Sequence, residues 1–241
     1  MSHGWTRIDT DRKERTFIRV HPCASVALFL FCSLAHAQRA PILVELFTSE
    51  GCSSCPPADA LLQKLDREVI VLSEHVDYWD RLGWRDPNSS HEFTARQERY
   101  ARVLGVEVYT PQVVVDGREA MVGSDEAKVR AALGHAEKRA HVAVKIESAR
   151  REGAEAVVTV AAPPKGDVWV GVAAEATQSA VSRGENSGHT LTHVAVLRTL
   201  TKLKKGETTV RTPAGAEPSR VVVFVTDSAG QVNGADSVRL P

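Results

Sequence analysis

Residues Pro41 to Leu62 read PILVELFTSEGCSSCPPADALL, and this stretch decides the fold. An apolar run (Ile42, Leu43, Val44, Leu46, Phe47) breaks at Thr48-Ser49-Glu50-Gly51. Cys52 and Cys55 follow, then a segment with leucines at helical spacing. The pattern is strand, turn, Cys-x-x-Cys, helix. Cysteines at i and i+3 where a helix begins are close enough to close a small disulfide ring. Unpaired N–H groups and the positive end of the helix dipole favour a thiolate at that place. Pro56 and Pro57 donate no backbone hydrogen bond, so the regular helix is expected to start near Pro56, where a missing N–H matters least.

The segment before this stretch has the pattern of a secretory signal. Arg12, Lys13, Arg15 and Arg19 form a basic region, Ala24 to Leu34 is apolar, and Ala35-His36-Ala37 is a small-x-small cleavage site. Its apolar core is too short to span a bilayer. Residues 1–37 are therefore expected to be a signal peptide, with the mature protein exported to the periplasm or secreted. That segment carries five of the 30 Lys and Arg and three of the 30 Asp and Glu, leaving 25 basic against 27 acidic residues. A balance near −2 gives no support for nucleic acid as a partner. No later stretch is long and apolar enough for a membrane span in the mature protein.

Cys23 and Cys32 lie in the signal, so the mature chain has only Cys52 and Cys55. Structural disulfides of secreted proteins usually link distant segments. A bond across two residues closes too small a loop to stabilise much, which favours redox chemistry over a staple. No second Cys or Cys/His pair follows at zinc spacing, so no metal site and no cofactor are expected.

Further along, Ala58 to Arg67 is an amphipathic helix and Val69 to Val76 a strand, giving a βαβ unit. Asp77 to Ser90 is an aromatic-rich loop, and Ser89 or Ser90 caps a helix over His91 to Leu104 that Gly105 ends. Val113 to Val115 and Glu119 to Val122 form a hairpin around Asp116-Gly117. Ser124 is expected to cap a last helix through Arg139. The order over residues 41–139 is β-α-β-α-β-β-α.

That order, with Cys-x-x-Cys after the first strand and Thr110-Pro111 opening the third, resembles the thioredoxin fold. More narrowly, LFTSEGCSSCPPADALL, the VDYWD loop and YTPQVVVDG resemble the DUF1223 family of exported bacterial proteins. The likeness covers nearly all of the mature chain, and the family is one of unknown function. Read from the residues alone, Pro111 is a strand-opening proline. The resemblance implies instead a cis bond packed against the cysteines, with backbone at Thr110 presented to a substrate chain. It also places a buried acid near Glu45, seven residues before Cys52, where a carboxylate with a raised pKa would relay a proton to Cys55. The alternative for Glu45 is a salt-bridged or edge-facing side chain.

From His141 the pattern changes to about seven short strands: 142–146, 156–161, 168–174, 191–200, 207–211, 220–226 and 237–240. Ala162-Pro163-Pro164-Lys165-Gly166 and Thr212-Pro213-Ala214-Gly215 punctuate them. Such spacing predicts an antiparallel β-sandwich. The expected organisation is a signal peptide (1–37), a thioredoxin-like α/β domain (38–140) and an all-β sandwich domain (141–241).

The chemistry expected is thiol–disulfide exchange on protein thiols, with a client and an unidentified electron-exchange partner. Cys52 is the nucleophile and the more exposed sulfur, and Cys55 resolves the mixed disulfide. Ser53 and Ser54 are placed to donate hydrogen bonds toward sulfur. Supporting candidates are Thr110 and Glu45, with His75, Asp77, Tyr78, Trp79 and Trp84 lining the site or simply packing. His189 and His193 share a strand face, yet two histidines without a third ligand make a weak metal site. The loop Arg183 to Thr190 either binds a partner or connects two strands. Two competing functions are a soft-metal handler binding Cu(I) through both thiolates, and an adaptor carrying a static disulfide.

Overall fold

The computed structural model describes residues 40–161 and 165–241. The expected signal peptide and the turn residues 162–164 lie outside the described residues. The described residues form one compact unit.

The first half follows its sequence closely. Strand β1 (Ala40–Thr48) leads to helix α1 (Pro56–Leu65), strand β2 (Val69–His75), helix α2 (His91–Leu104), the hairpin β3 (Gln112–Val115) and β4 (Glu119–Val122), and helix α3 (Glu126–Glu137). Cys55 is the N-cap of α1 and the two prolines occupy its first positions, as the missing N–H groups require. The Ser90 hydroxyl accepts the N–H of Glu92 at 3.2 Å at the start of α2, and Gly105 ends that helix in the left-handed region. The cap of α3 is Asp125, one residue later than expected, its carboxylate accepting the Lys128 N–H at 3.1 Å. A carboxylate at a helix N-terminus interacts with the dipole as well as the N–H, an advantage Ser124 lacks.

Seven strands follow: β5 (Ile146–Glu152), β6 (Glu155–Val160), β7 (Asp167–Ala180), β8 (Thr190–Lys202), β9 (Thr209–Pro213), β10 (Ser219–Thr226) and β11 (Val232–Leu240). Their arrangement differs from a separate sandwich. Four of them extend the first sheet into an eight-stranded one, in the order β11-β10-β7-β8-β2-β1-β3-β4, while β5-β6-β9 form a second, small sheet. The seam is the parallel contact of β2 with β8 at Ser73 and Val196. The physical reason lies in β2. All seven of its residues are buried, so its outer edge needs a hydrogen-bonding partner rather than solvent. The fold is thus mixed α/β, dominated by one large sheet, and residue 140 does not divide that sheet.

Alternation along β1 sets the layers. Ile42, Val44 and Leu46 face α1 and α3, packing on Leu61, Leu62, Leu65, Val129 and Leu133. Each such leucine contributes about 1.5–3 kcal/mol by leaving water. Leu43 points the other way, into a cluster with Leu72, Phe93 of α2, Leu197 and Phe224. The small sheet packs Val158 and Val160 onto Val170, Val172, Val221 and Val223 of the large one. Two ion clusters tie the halves together. Arg220 of β10 bonds Asp66 and Glu175, and Arg198 of β8 bonds Glu217 and, at 2.7 Å, the Asn88 side chain. Among the described residues no helix is long and apolar enough to cross a membrane.

Candidate functional site

Cys52 and Cys55 are joined in a disulfide with Cα atoms 5.4 Å apart. The ring forms because the chain turns tightly before α1. The N–H of Cys52 donates to the Ser49 carbonyl at 3.1 Å, and that of Cys55 to the Cys52 carbonyl at 3.2 Å. Ser53 and Ser54 at the tip of the turn are exposed. The Ser54 hydroxyl lies 3.4 Å from the Cys52 sulfur. Ser53 was expected to face the sulfur too and instead turns outward to another partner.

That partner corrects the expectation about access. Both cysteines have 0% of their surface exposed, so Cys52 is not the more open of the two. The roof is the loop between β7 and β8, the stretch Val181 to His189. Glu185 accepts the Ser53 N–H at 3.0 Å and its hydroxyl at 2.7 Å. Asn186 donates from one nitrogen to the carbonyls of Glu50 and Cys52, each at 2.9 Å. Gly184 sits so close to Trp84 that a Cβ would stand 3.2 Å from the Trp84 Cβ. The polar, glycine-rich composition of this loop was legible, but its landing place 130 residues away was not.

The Thr110–Pro111 bond is cis. Trp79 connects this turn to the cysteine turn. Its ring N–H donates to the Thr110 hydroxyl at 2.8 Å, and its Cβ lies where a Gly51 Cβ would meet it at 3.2 Å. Gly51 is thus small because Trp79 packs on the residue preceding Cys52.

Beneath the turn lies a buried polar cluster that the sequence reading assigned only in part. His75 Nδ1 is 2.7 Å from Asp86, and the His75 ring meets His193 edge to face with centroids 4.6 Å apart. His193 is 3.2 Å from Asp59 and 3.7 Å from Glu50. Glu50 also accepts from Trp84 at 2.9 Å and Asn88 at 3.2 Å. Burial alone would favour a neutral His193, but Asp59 first, then Glu50 and Asp86, outweigh it and raise its pKa. Burial would likewise raise the Asp86 carboxyl, yet His75 and the N–H groups of Glu50 and Asn88 hold it below 3.8. The pairing His189 with His193 does not occur, because β8 begins at Thr190 and leaves His189 exposed in the loop. Asp77 is turned to α2 instead, where it accepts the Thr94 hydroxyl at 2.6 Å. Tyr78 donates to Gln97 at 3.2 Å, also away from the sulfurs.

Glu45 takes the alternative weighed for it. One oxygen accepts Arg96 Nε at 2.6 Å, the other the Tyr100 hydroxyl at 2.6 Å. Arg96 in turn lies between the Tyr100 and Phe224 rings, 5.1 Å from each centroid. Glu74 shares this pocket, and burial, then the charge of Glu45, pushes its carboxyl well above 4.5. Alternation explains the placement: Glu45 shares its face with Leu43, toward α2, whereas α1 and its N-terminus pack on the face of Val44 and Leu46. Glu45 serves a buried ion pair, and the acids below the cysteine turn are Glu50 and Asp59. No set of three or more His, Cys, Asp or Glu among the described residues has metal-holding geometry.

The site therefore defines a mixed α/β protein with a Cys-x-x-Cys disulfide at the mouth of its first helix, roofed by a loop from the second half of the chain. The chain belongs to the family described as Protein of unknown function (DUF1223), whose model matches residues 43–226 and so spans both cysteines and the cis proline. No curated protein matches the chain. It is similar to the crystal structure of protein AGR_C_4864 from Agrobacterium tumefaciens, at 29% identity and a TM-score of 0.64, over 84% of this chain and 95% of that one.

Proposed function

We propose that the protein is an exported thiol–disulfide oxidoreductase of thioredoxin-like architecture, exchanging electrons with protein thiols through Cys52 and Cys55. The observation that carries this reading is the disulfide at the N-terminus of α1, with an exposed Ser53-Ser54 tip. The neighbouring Thr110–Pro111 turn, reached through Trp79, supports it. A client thiolate attacks the Cys52 sulfur and releases Cys55 as thiolate. A second client thiolate then frees Cys52, leaving a protein dithiol and a client disulfide; the reverse sequence oxidises the dithiol. Because both sulfurs are covered, exchange requires the Val181–His189 loop to lift from the turn, and Glu185 and Asn186 control that step. Export rests on the signal pattern of residues 1–37.

One observation favours a second reading, the adaptor with a static disulfide: the complete burial of both sulfurs beneath that loop. Equilibration of the mature protein with glutathione redox buffers separates the two. A potential above roughly −300 mV, with exchange abolished in Cys52→Ser, supports the enzyme. A potential below about that value marks an inert bond and supports the adaptor.

A further inference from the structure

Two adjacent side chains of the Val181–His189 loop hold it over the cysteines, and we propose that they stand in for a protein client. The clients admitted are then acidic segments with a carboxylate beside their cysteine. This rests on the redox reading above and names its substrate class. Glu185 accepts the Ser53 N–H at 3.0 Å and the Ser53 hydroxyl at 2.7 Å with the same oxygen. Asn186 donates to the carbonyls of Glu50 and Cys52, each at 2.9 Å. The turn thus presents two donors at Ser53 and two acceptors flanking Gly51, and the loop meets them with a carboxylate and an amide N–H. An extended acidic peptide carries the same two kinds of group, a side-chain carboxylate and backbone N–H.

The loop is built to move as a piece. Only Val181 and Asn186 of its nine residues are buried. Its other hydrogen bonds among the described residues are internal, such as Gly188 N–H to the Val181 carbonyl at 2.8 Å and His189 N–H to the Asn186 carbonyl at 3.1 Å. Lifting it therefore breaks the four bonds to the turn and the packing of Gly184 on Trp84. A client that brings its own carboxylate to Ser53 restores the strongest of these, since an ionised acceptor makes a stronger bond than a neutral one. A client with an amide or an amine there does not, and the difference is its specificity. Reach is assured, because Ser53 directly follows Cys52 and a chain advances about 3.3–3.6 Å per residue. Ser53 also lowers the Glu185 carboxyl below 4.5, its hydroxyl first and its N–H second, so the position favours an ionised occupant.

Ser53 determines which disulfide is attacked and takes no part in electron transfer. The Cys52 thiolate attacks the client sulfur beside the acid, forming the Cys52–client bond, and the client's other sulfur leaves as thiolate. The Cys55 thiolate then attacks Cys52 and releases the first client sulfur. The protein dithiol is oxidised and the client disulfide reduced; two protons pass from the dithiol to solvent, and the two client thiolates take up two. Ser53 holds the client carboxylate while the first bond forms.

The test uses the reduced mature protein and three blocked peptides X-Cys-X, with X glutamate, glutamine or lysine, each activated as a thiopyridyl disulfide. Release of thiopyridone, divided by the rate of the same peptide with dithiothreitol, reads attack by Cys52 free of the peptide's intrinsic reactivity. The glutamate peptide should react about fivefold faster than the glutamine peptide or better, with the lysine peptide slowest. Glu185→Ala should widen the preference, because the competing carboxylate is gone, and Ser53→Ala should narrow it. Equal corrected rates for the glutamate and glutamine peptides, in wild type and in Glu185→Ala, overturn the proposal and leave the redox reading intact. A glutamate preference unchanged in Ser53→Ala belongs to overall charge and likewise overturns it. Release no faster from wild type than from Cys52→Ser overturns the redox reading and the proposal with it.

Discussion

Glu185 holds Ser53 at two points, accepting the N–H at 3.0 Å and the hydroxyl at 2.7 Å with the same oxygen. One residue of the second half of the chain thus grips the first inner residue of the Cys-x-x-Cys turn. Glu185→Ala removes both bonds and leaves the sulfurs in place. Reduction of the disulfide by dithiothreitol should become several-fold faster, with the far-ultraviolet spectrum unchanged. An unchanged rate would show that the loop does not limit access.

The same contact has a pH signature. Ser53, through its hydroxyl first and its N–H second, lowers the Glu185 carboxyl below 4.5. A depressed carboxylate stabilises the closed loop above the ordinary pKa, and that contribution is lost as pH falls through the lowered value. Wild-type reduction, measured with a phosphine whose reactivity is corrected for pH, should accelerate below about pH 4.5. Glu185→Gln should show no such rise.

Asn186 anchors the loop from inside. It is buried, and its amide donates to the carbonyls of both Glu50 and Cys52. Asn186→Ala removes the amide donor from both carbonyls, leaving that of Cys52 its bond from the Cys55 N–H alone, a loss of about 1–3 kcal/mol. Asn186→Asp sets a carboxylate against those carbonyls and should be worse. Urea titration of the oxidised proteins at neutral pH gives the order wild type, Ala, Asp in falling stability.

His193 makes stability depend on pH near neutrality. Its folded pKa is raised above 6.5 by Asp59, Glu50 and Asp86 against the effect of burial. Its contribution is therefore complete below the unfolded value and is lost as pH rises through the folded one. Asp86, held low, adds a term of opposite sense that fades only as pH falls below 3.8. Unfolding free energy from urea titrations should decline from about pH 6 toward pH 9 in wild type. In His193→Gln the decline should be absent.

How much of this was readable in advance depended on range. Helix α2 and its Ser90 and Gly105 ends, the Asp116-Gly117 turn and the proline start of α1 are local, set by φ preferences and orphan N–H groups within a few residues. The seam of Ser73 with Val196 and the grip of Glu185 on Ser53 span more than a hundred residues, and no periodicity encodes them. Val69 to Val76 read as a strand, but its polar half, Ser73 to His75, gave no sign that it is buried or of which strand pairs with it. At the site, Cys52, Cys55 and Thr110-Pro111 stood out because each is rare or constrained. Asp59 looked like an ordinary first-turn acid, and His193 was noticed for a pairing with His189 that the start of β8 prevents.

Glu45 provides the sharpest separation of stability from chemistry. It neutralises Arg96, which is buried beside Tyr100 and Phe224, and burial, then the charge of Glu45, pushes the Glu74 carboxyl next to it well above 4.5. Removing the Glu45 charge leaves Arg96 without its main partner, a loss of about 3–5 kcal/mol for a buried pair broken on one side. Glu74 is the nearest replacement, 3.5 Å from Arg96 Nε. On losing its repelling neighbour it should ionise, recovering part of that loss and leaving Glu45→Gln destabilised yet folded. The melting temperature should fall by many degrees, whereas the rate and pH profile of disulfide closure should match wild type, because Glu45 lies on the face of β1 turned toward α2. A changed closure profile in Glu45→Gln would return Glu45 to the proton path.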